Sequence, residues 1–316
     1  MKIKTETSTE HQTKPKVAIL MATYNGAEFI REQIESILNQ QDVEVCFYIS
    51  DDGSTDETLN ILEYYFKNYP HQFKKLFHVQ YHHPAKNFLS LLNKISIKYD
   101  YYAFSDQDDV WLDDKLKTAI NKINEGHALY CGRTENVNHK LQSFGYSPLF
   151  TFPPSFKNAI VQSIAGSNTM VFNQEVLDLL KQSFDYKVPM HDWWTYLLTT
   201  FAGYSVYYDP IPKVLYRQHR YNFNGSNLGI RNQLKRIFFG LLGRYQYWNN
   251  LNEKNLMSYI NLGTRENLKT FYQFQFLRKK SNFINFNLDY INRIGVYRQT
   301  LFGNWMLKLS LLLKRA

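Results

Sequence analysis

Residues 17–22 read Val-Ala-Ile-Leu-Met-Ala, an unbroken apolar run, which is the pattern of a strand covered on both faces. The period then changes. Phe29, Ile30, Ile34, Ile37 and Leu38 recur at three- and four-residue steps, which predicts a helix over 28–39. The two patterns alternate from there. Strands are predicted over 43–49, 73–81, 101–104 and from 128 to 131. Helices are predicted over 56–68 (with Ser54 or Thr55 as N-cap), 88–97 and 113–124. Repeated strand–helix units of this length predict an α/β fold, an open and mostly parallel sheet with helices on both faces. Ligands of such sheets bind at the carboxyl ends of the strands. The first strand is not followed by GxGxxG, and GxxxxGK[ST] occurs nowhere, which excludes the usual dinucleotide and P-loop turns.

Composition divides the chain. Hydrophobic residues at 44% and charged residues at 21% exclude global disorder. From 231 to 316 there are 15 Lys and Arg against 3 Asp and Glu, a net of +12 in a chain whose total is +9, so the remainder is slightly acidic. All nine prolines lie at or before Pro212. The expected organisation is a disordered tail over 1–15, an α/β domain over 16–227 and a basic helical region over 228–316. The first segment lacks the apolar core of a secretory signal. Cys46 and Cys131 sit in strand-like runs and read as buried free thiols of a cytoplasmic protein. A nucleic-acid partner is not expected, because the basic region is apolar-helical and no RNA or DNA module is recognisable.

Three strand ends carry the candidate chemistry. The first continues into Thr23-Tyr24-Asn25-Gly26, the second into Asp51-Asp52-Gly53-Ser54, the fourth into Asp106-Gln107-Asp108-Asp109. Asn-Gly and Asp-Gly form turns and Asp caps helices, so each alone reads as structural. Together they place more carboxylates on one rim than turns require. Clustered like charges repel unless a cation compensates them, and oxygen ligands suit a hard divalent ion, Mg2+ or Mn2+.

These three motifs, in this order, resemble those of family 2 glycosyltransferases over residues 16–227. The resemblance implies the GT-A fold. It implies that Thr23, Tyr24 and Asn25 contact the nucleoside, that Asp52 accepts the N3–H of uracil or thymine, and that Asp51 supports that loop. Asp106 would approach the ribose or the metal, and Asp108 would hold the metal on the donor diphosphate. In the alternative register of Asp-x-Asp-Asp, Asp109 is the ligand. Lys86 and Asn87 read equally as donor contacts or as a loop lysine and a helix cap.

A helix is predicted from Pro189-Met190-His191-Asp192 to about residue 201. Asp192 matches the family's position for the general base that deprotonates the acceptor hydroxyl. His191 either orients the acceptor or packs on an aromatic ring, and Trp193 and Trp194 are either core or a sugar platform. The loop Gly166-Ser167-Asn168-Thr169 loosely matches the acceptor side. In Tyr216-Arg217-Gln218-His219, Arg217 and His219 alternate on one side of an extended segment. The resemblance implies that Arg217 closes on the diphosphate and His219 on the metal, with a flexible basic segment as the bland alternative.

The motifs are most similar to rhamnosyltransferase-type enzymes of bacterial cell-surface polysaccharide. That implies an inverting transfer from dTDP-L-rhamnose, or from a UDP-hexose, to a glycan or lipid-linked acceptor. A non-catalytic nucleotide-sugar-binding subunit is the competing reading. Leu234, Ile237, Phe238, Leu241 and Leu242, and later Trp305 to Leu313, form basic amphipathic stretches. These read as peripheral membrane contact on the inner face, or as packing against the catalytic domain or a second copy.

Overall fold

A computed structural model of the chain describes residues 13–183, 187–219, 243–279 and 290–315. Most of the expected tail, the boundary at 227 and the amphipathic stretch 234–242 lie outside these residues. The elements run β1 (Lys16–Thr23), α1 (Ile30–Leu38), β2 (Glu44–Asp51), α2 (Thr58–Asn68), β3 (Phe73–His78), α3 (Pro84–Leu92), β4 (Tyr101–Ser105), β5 (Val110–Trp111), α4 (Lys115–Asn124), β6 (Leu129–Gly132), β7 (Glu135–Val137), β8 (Ser143–Tyr146), α5 (Phe156–Ala159), β9 (Val171–Phe172), α6 (Gln174–Lys181), α7 (His191–Phe201), β10 (Val206–Asp209) and β11 (Val214–Arg217). The helices Arg244–Met257, Arg265–Lys279 and Leu301–Leu312 follow.

Seven strands form the main sheet in the order β10-β6-β9-β4-β1-β2-β3. It is parallel except for β9, which runs antiparallel between β4 and β6. The apolar run of β1 alternates between two cores. Val17, Ile19 and Met21 face α1, α2 and α4, while Ala18 and Leu20 face α3 and α7. The second core takes in Leu256, Phe271, Phe274, Leu307 and Leu311, so the C-terminal helices pack against the face that carries α7.

Two boundaries differ from the sequence reading. The helix expected at 88–97 starts at Pro84, whose fixed φ suits a first helical turn. Neither Ser54 nor Thr55 caps α2; Asp56 Oδ1 accepts the Thr58 N–H at 3.0 Å instead. The second sheet, in the order β5-β11-β7-β8, was not anticipated. Its strands are two to four residues long, too short to show a period. Residues 106–109 are the crossover from β4 in one sheet to β5 in the other. β5 pairs antiparallel with β11, which brings the segment after β11 back onto that crossover.

Candidate active site

The register places Thr23 of β1 opposite Asp51 of β2, so the two strands end together. Asp51 is buried and serves its own loop. Oδ1 accepts the Gly53 and Ser54 N–H groups at 3.2 and 2.8 Å, and Oδ2 accepts the Ser54 and Thr23 hydroxyls at 2.6 and 2.7 Å. Asp52 reaches the other way. Its Oδ1 accepts the Tyr81 and His82 N–H groups at 2.5 and 3.1 Å, and Oδ2 accepts the His83 N–H at 3.2 Å. A carboxylate has about four acceptor positions, so Oδ2 keeps one. Asn25, at φ +48°, accepts the Thr55 N–H on its Oδ1 at 2.8 Å.

Gln107 joins this loop to the carboxylate crossover. Its Oε1 accepts the Tyr24 N–H at 2.8 Å and its Nε2 donates to the Tyr24 carbonyl at 2.9 Å, leaving the Tyr24 ring 55% exposed. A Cβ on Gly26 would stand 2.3 Å from Gln107 Oε1, so a side chain there would displace the Gln107 amide from this clamp.

The three acids of the crossover differ in environment. Asp109 is buried. Asn168 Nδ2 donates to its Oδ2 at 2.6 Å and the Arg217 N–H to its Oδ1 at 3.1 Å. Burial, then Asp108 and Asp106, push its carboxyl well up. Asp108 instead meets His219, Oδ2 to Nε2 at 2.8 Å. The His219 ring also lies 5.0 Å from that of Phe29, centroid to centroid. Asp108 thus lies beside the imidazole, while Asp109 is anchored inward. Asp106 is pushed up to about 7 by burial and by the charges of Asp108 and Asp192, against a hydrogen bond from Ser167. Among the described residues, no three His, Cys, Asp or Glu side chains already converge as a metal cage.

Asp192 lies in the first turn of α7. Its Oδ1 accepts the Trp193 N–H at 2.6 Å, and burial pushes its carboxyl up to about 7. His191 stacks on Phe88 at 4.2 Å and meets Phe104 edge-on. Burial lowers it to about 3, so it is neutral. Trp193 and Trp194 are core, not a platform. Their indole N–H groups donate to the Ala159 carbonyl at 2.7 Å and to Ser183 Oγ at 2.9 Å.

Arg217 departs from expectation. Its guanidinium is 1% exposed and turned inward. Nε donates to the Asp108 carbonyl at 2.9 Å, Nη1 to the His139 carbonyl at 2.8 Å, and Nη2 pairs with Glu32. It also lies 4.5 Å from the Phe29 ring centroid. This arginine ties the carboxylate crossover, through the Asp108 carbonyl, to the His139 carbonyl and to Glu32 of α1. Asn87 is likewise structural, its Nδ2 donating to the Ser50 carbonyl at 3.0 Å, and Lys86 lies over the Tyr81 ring.

Sequence reasoning missed Gln107, Glu32 and Lys115. Lys115 is fully buried, with Nζ 3.1 Å from the Trp111 ring centroid and no hydrogen bond among the described residues. Burial pushes its ammonium well down, while Asp109 and Asp106 pull it up. A lysine in a helix's first turn normally reads as solvated, so nothing in the sequence marks it. Gln107 was legible only as the variable position of an Asp-x-Asp pattern.

A family model described as Glycosyl transferase family 2 matches residues 18–180. The dTDP-rhamnosyl transferase RfbG of Shigella flexneri is 35% identical over 231 residues, spanning 69% of this chain and 78% of that one. Among solved structures, S. aureus TarS 1–349 in complex with UDP-GlcNAc superimposes with a TM-score of 0.54 at 16% identity, covering 95% of this chain and 89% of that one. The mannosyltransferase PcManGT of Pyrobaculum calidifontis, in complex with GDP-Man and Mn2+, gives 0.51 at 15% identity, covering 96% and 86%.

Proposed function

The chain belongs to glycosyl transferase family 2, and from that premise we propose that it is an inverting, divalent-cation-dependent transferase acting in cell-surface polysaccharide synthesis. The donor we assign is dTDP-L-rhamnose, supported by the similarity to RfbG. The observation that supports the reading is the meeting of Asp108 Oδ2 with His219 Nε2 at 2.8 Å on the carboxylate crossover, with Asp192 buried in the first turn of α7.

Tyr24, exposed beside the clamp from Gln107, offers a face for the base, and the remaining acceptor position of Asp52 takes the N3–H of thymine or uracil. Asp108 and His219 would hold Mn2+ or Mg2+, with Asp106 beside them. The donor set fits, since carboxylate oxygens and one imidazole suit such ions, and a cation would offset both the burial and the neighbouring charges of Asp108 and Asp192 that raise Asp106. When bound, that ion supplies positive charge to the leaving diphosphate.

The acceptor hydroxyl enters from the Asp192 side. Its oxygen attacks the anomeric carbon as Asp192 takes the proton. The bond from that carbon to the diphosphate oxygen breaks, the nucleoside diphosphate departs, and a single displacement inverts the anomeric configuration. A carboxyl raised by burial is matched to this task, because it is a stronger base than a solvated aspartate. The test is incubation with dTDP-L-rhamnose or UDP-hexoses, Mn2+ and a glycolipid acceptor extract. Sugar incorporation with dTDP release from the rhamnosyl donor supports the proposal. Incorporation from a UDP-sugar alone overturns the donor assignment, and none from any donor supports the non-catalytic alternative.

A further inference from the structure

We infer that the helix Leu301–Leu312 docks this protein onto an anionic lipid surface. The helix is apolar on two sides. Leu307 and Leu311 are buried in the core it shares with α7. On the opposite side Leu301, Phe302 and Trp305 are 84%, 62% and 77% exposed, and Leu309 and Leu313 are exposed with them. At about 100° per residue these positions fall in one arc of roughly 120° around Trp305. One apolar side is accounted for by the fold; the other has no partner among the described residues.

Charge identifies the occupant. Between Tyr290 and Arg315 there are five cations and no Asp or Glu; Arg298 is turned inward over the Tyr245 ring, which leaves Arg293, Lys308, Lys314 and Arg315 as the excess positive charge of the segment. At about 100° per residue Lys308 falls just outside one edge of the apolar arc, where a long basic side chain reaches headgroup phosphates while the stripe enters the acyl boundary. A second copy of this chain fits less well. Apposing two such faces brings cations against cations, with no acid in the segment to pair them. The 12-residue helix is far too short to span a bilayer, and among the described residues no helix is long and apolar enough to cross one. It therefore lies in the surface plane.

The placement suits the acceptor side. Gln299, just before the N-cap Thr300, exchanges two hydrogen bonds with the Phe152 backbone at 3.0 and 2.9 Å. The exposed Phe152 ring lies 5.8 Å from that of Tyr297, centroid to centroid. Tyr297 bonds to Ser155 Oγ at 2.9 Å, and the Ser155 N–H donates to Tyr196 Oη at 3.0 Å. Tyr196 lies on α7 one turn beyond Asp192. Docking thus holds the bilayer beside the helix that carries the proposed base, where a lipid-linked acceptor would be presented. This purpose rests on the proposed function; the lipid contact and its test do not.

The test is flotation of the full chain with vesicles of phosphatidylglycerol and phosphatidylcholine, against vesicles of phosphatidylcholine alone. The comparison variant is Phe302→Ser/Trp305→Ser, whose changes lie outside the core. Expected are recovery with the anionic vesicles, at least tenfold weaker recovery with neutral ones, loss at high salt, and at least a tenfold loss in the variant at unchanged melting temperature. A blue shift of tryptophan fluorescence on anionic vesicles, absent in Trp305→Phe, gives a second readout. No anionic binding, or binding undiminished in the variant, overturns the inference. So does a concentration-dependent dimer that the variant abolishes, which would assign the face to a second copy. Nucleotide-induced stabilisation, measured on the same samples, reports separately on the transferase reading.

Discussion

His219 and Asp108 are 111 residues apart in sequence, yet Nε2 and Oδ2 meet at 2.8 Å. The meeting depends on β5 pairing with β11, which folds the end of β11 over the carboxylate crossover. If this pair holds the cation, a nucleoside diphosphate with Mn2+ at 100-fold over its dissociation constant adds about 2.7 kcal/mol. For a chain of this size that is a rise of several degrees in melting temperature. Asp108→Ala and His219→Ala should each lose the part of the rise that EDTA removes. A rise insensitive to EDTA and to both changes would contradict the pairing's role. Comparing dTDP, UDP and GDP in the same assay tests the base, and dTDP should give the largest shift.

The clamp between Gln107 and Tyr24 makes a second prediction. Gly26→Ala forces a Cβ against the Gln107 amide, so KM for the donor should rise at least tenfold with little change in kcat. Gln107→Ala removes the obstruction, and the double variant should bind donor better than Gly26→Ala alone. Strict additivity of the two changes would rule out the contact as the cause.

Asp192 sets the pH dependence. A base must be deprotonated, so transfer should fall as pH drops through about 7, the value to which burial raises this carboxyl. Stability moves oppositely. With a folded value above the ordinary 3.8, the folded state holds the proton more tightly. The stabilisation is complete below about pH 4 and is lost as pH rises through 7. Asp192→Asn should therefore raise the melting temperature at about pH 8, by an amount on the order of 4 kcal/mol at most, and not at about pH 4. Equal effects at both pH values would place the cause elsewhere.

Arg217 is predicted to act on stability. Removing it strands the Asp108 and His139 carbonyls and breaks the pair with Glu32. Arg217→Met should cost roughly 2–4 kcal/mol, read as a lowered denaturation midpoint in the absence of nucleotide. A variant of native stability with weakened donor binding would instead return Arg217 to the diphosphate.

The main sheet was readable because β1 and β2 are covered on both faces, which leaves unbroken apolar runs. The rim was readable because its acids outnumber the turns that need them. Which acid faces the open side was not. Asp51 and Asp52 are adjacent, yet one serves its own loop and the other the loop before α3. Asp109 points inward because Asn168 and the Arg217 N–H hold it there. Arg217 is held by the Asp108 and His139 carbonyls and by Glu32, 185 residues away. Local pattern carries no trace of partners at such separations, nor of two-residue strands.

The most direct test of the central claim is the transfer rate of Asp192→Asn beside its nucleotide affinity. The change preserves shape and removes the base. Transfer should fall by about 10²–10⁴-fold, while nucleotide affinity with Mn2+ stays within twofold of the native chain. Transfer surviving in this variant would contradict the assignment of Asp192, and with it the mechanism proposed for this site.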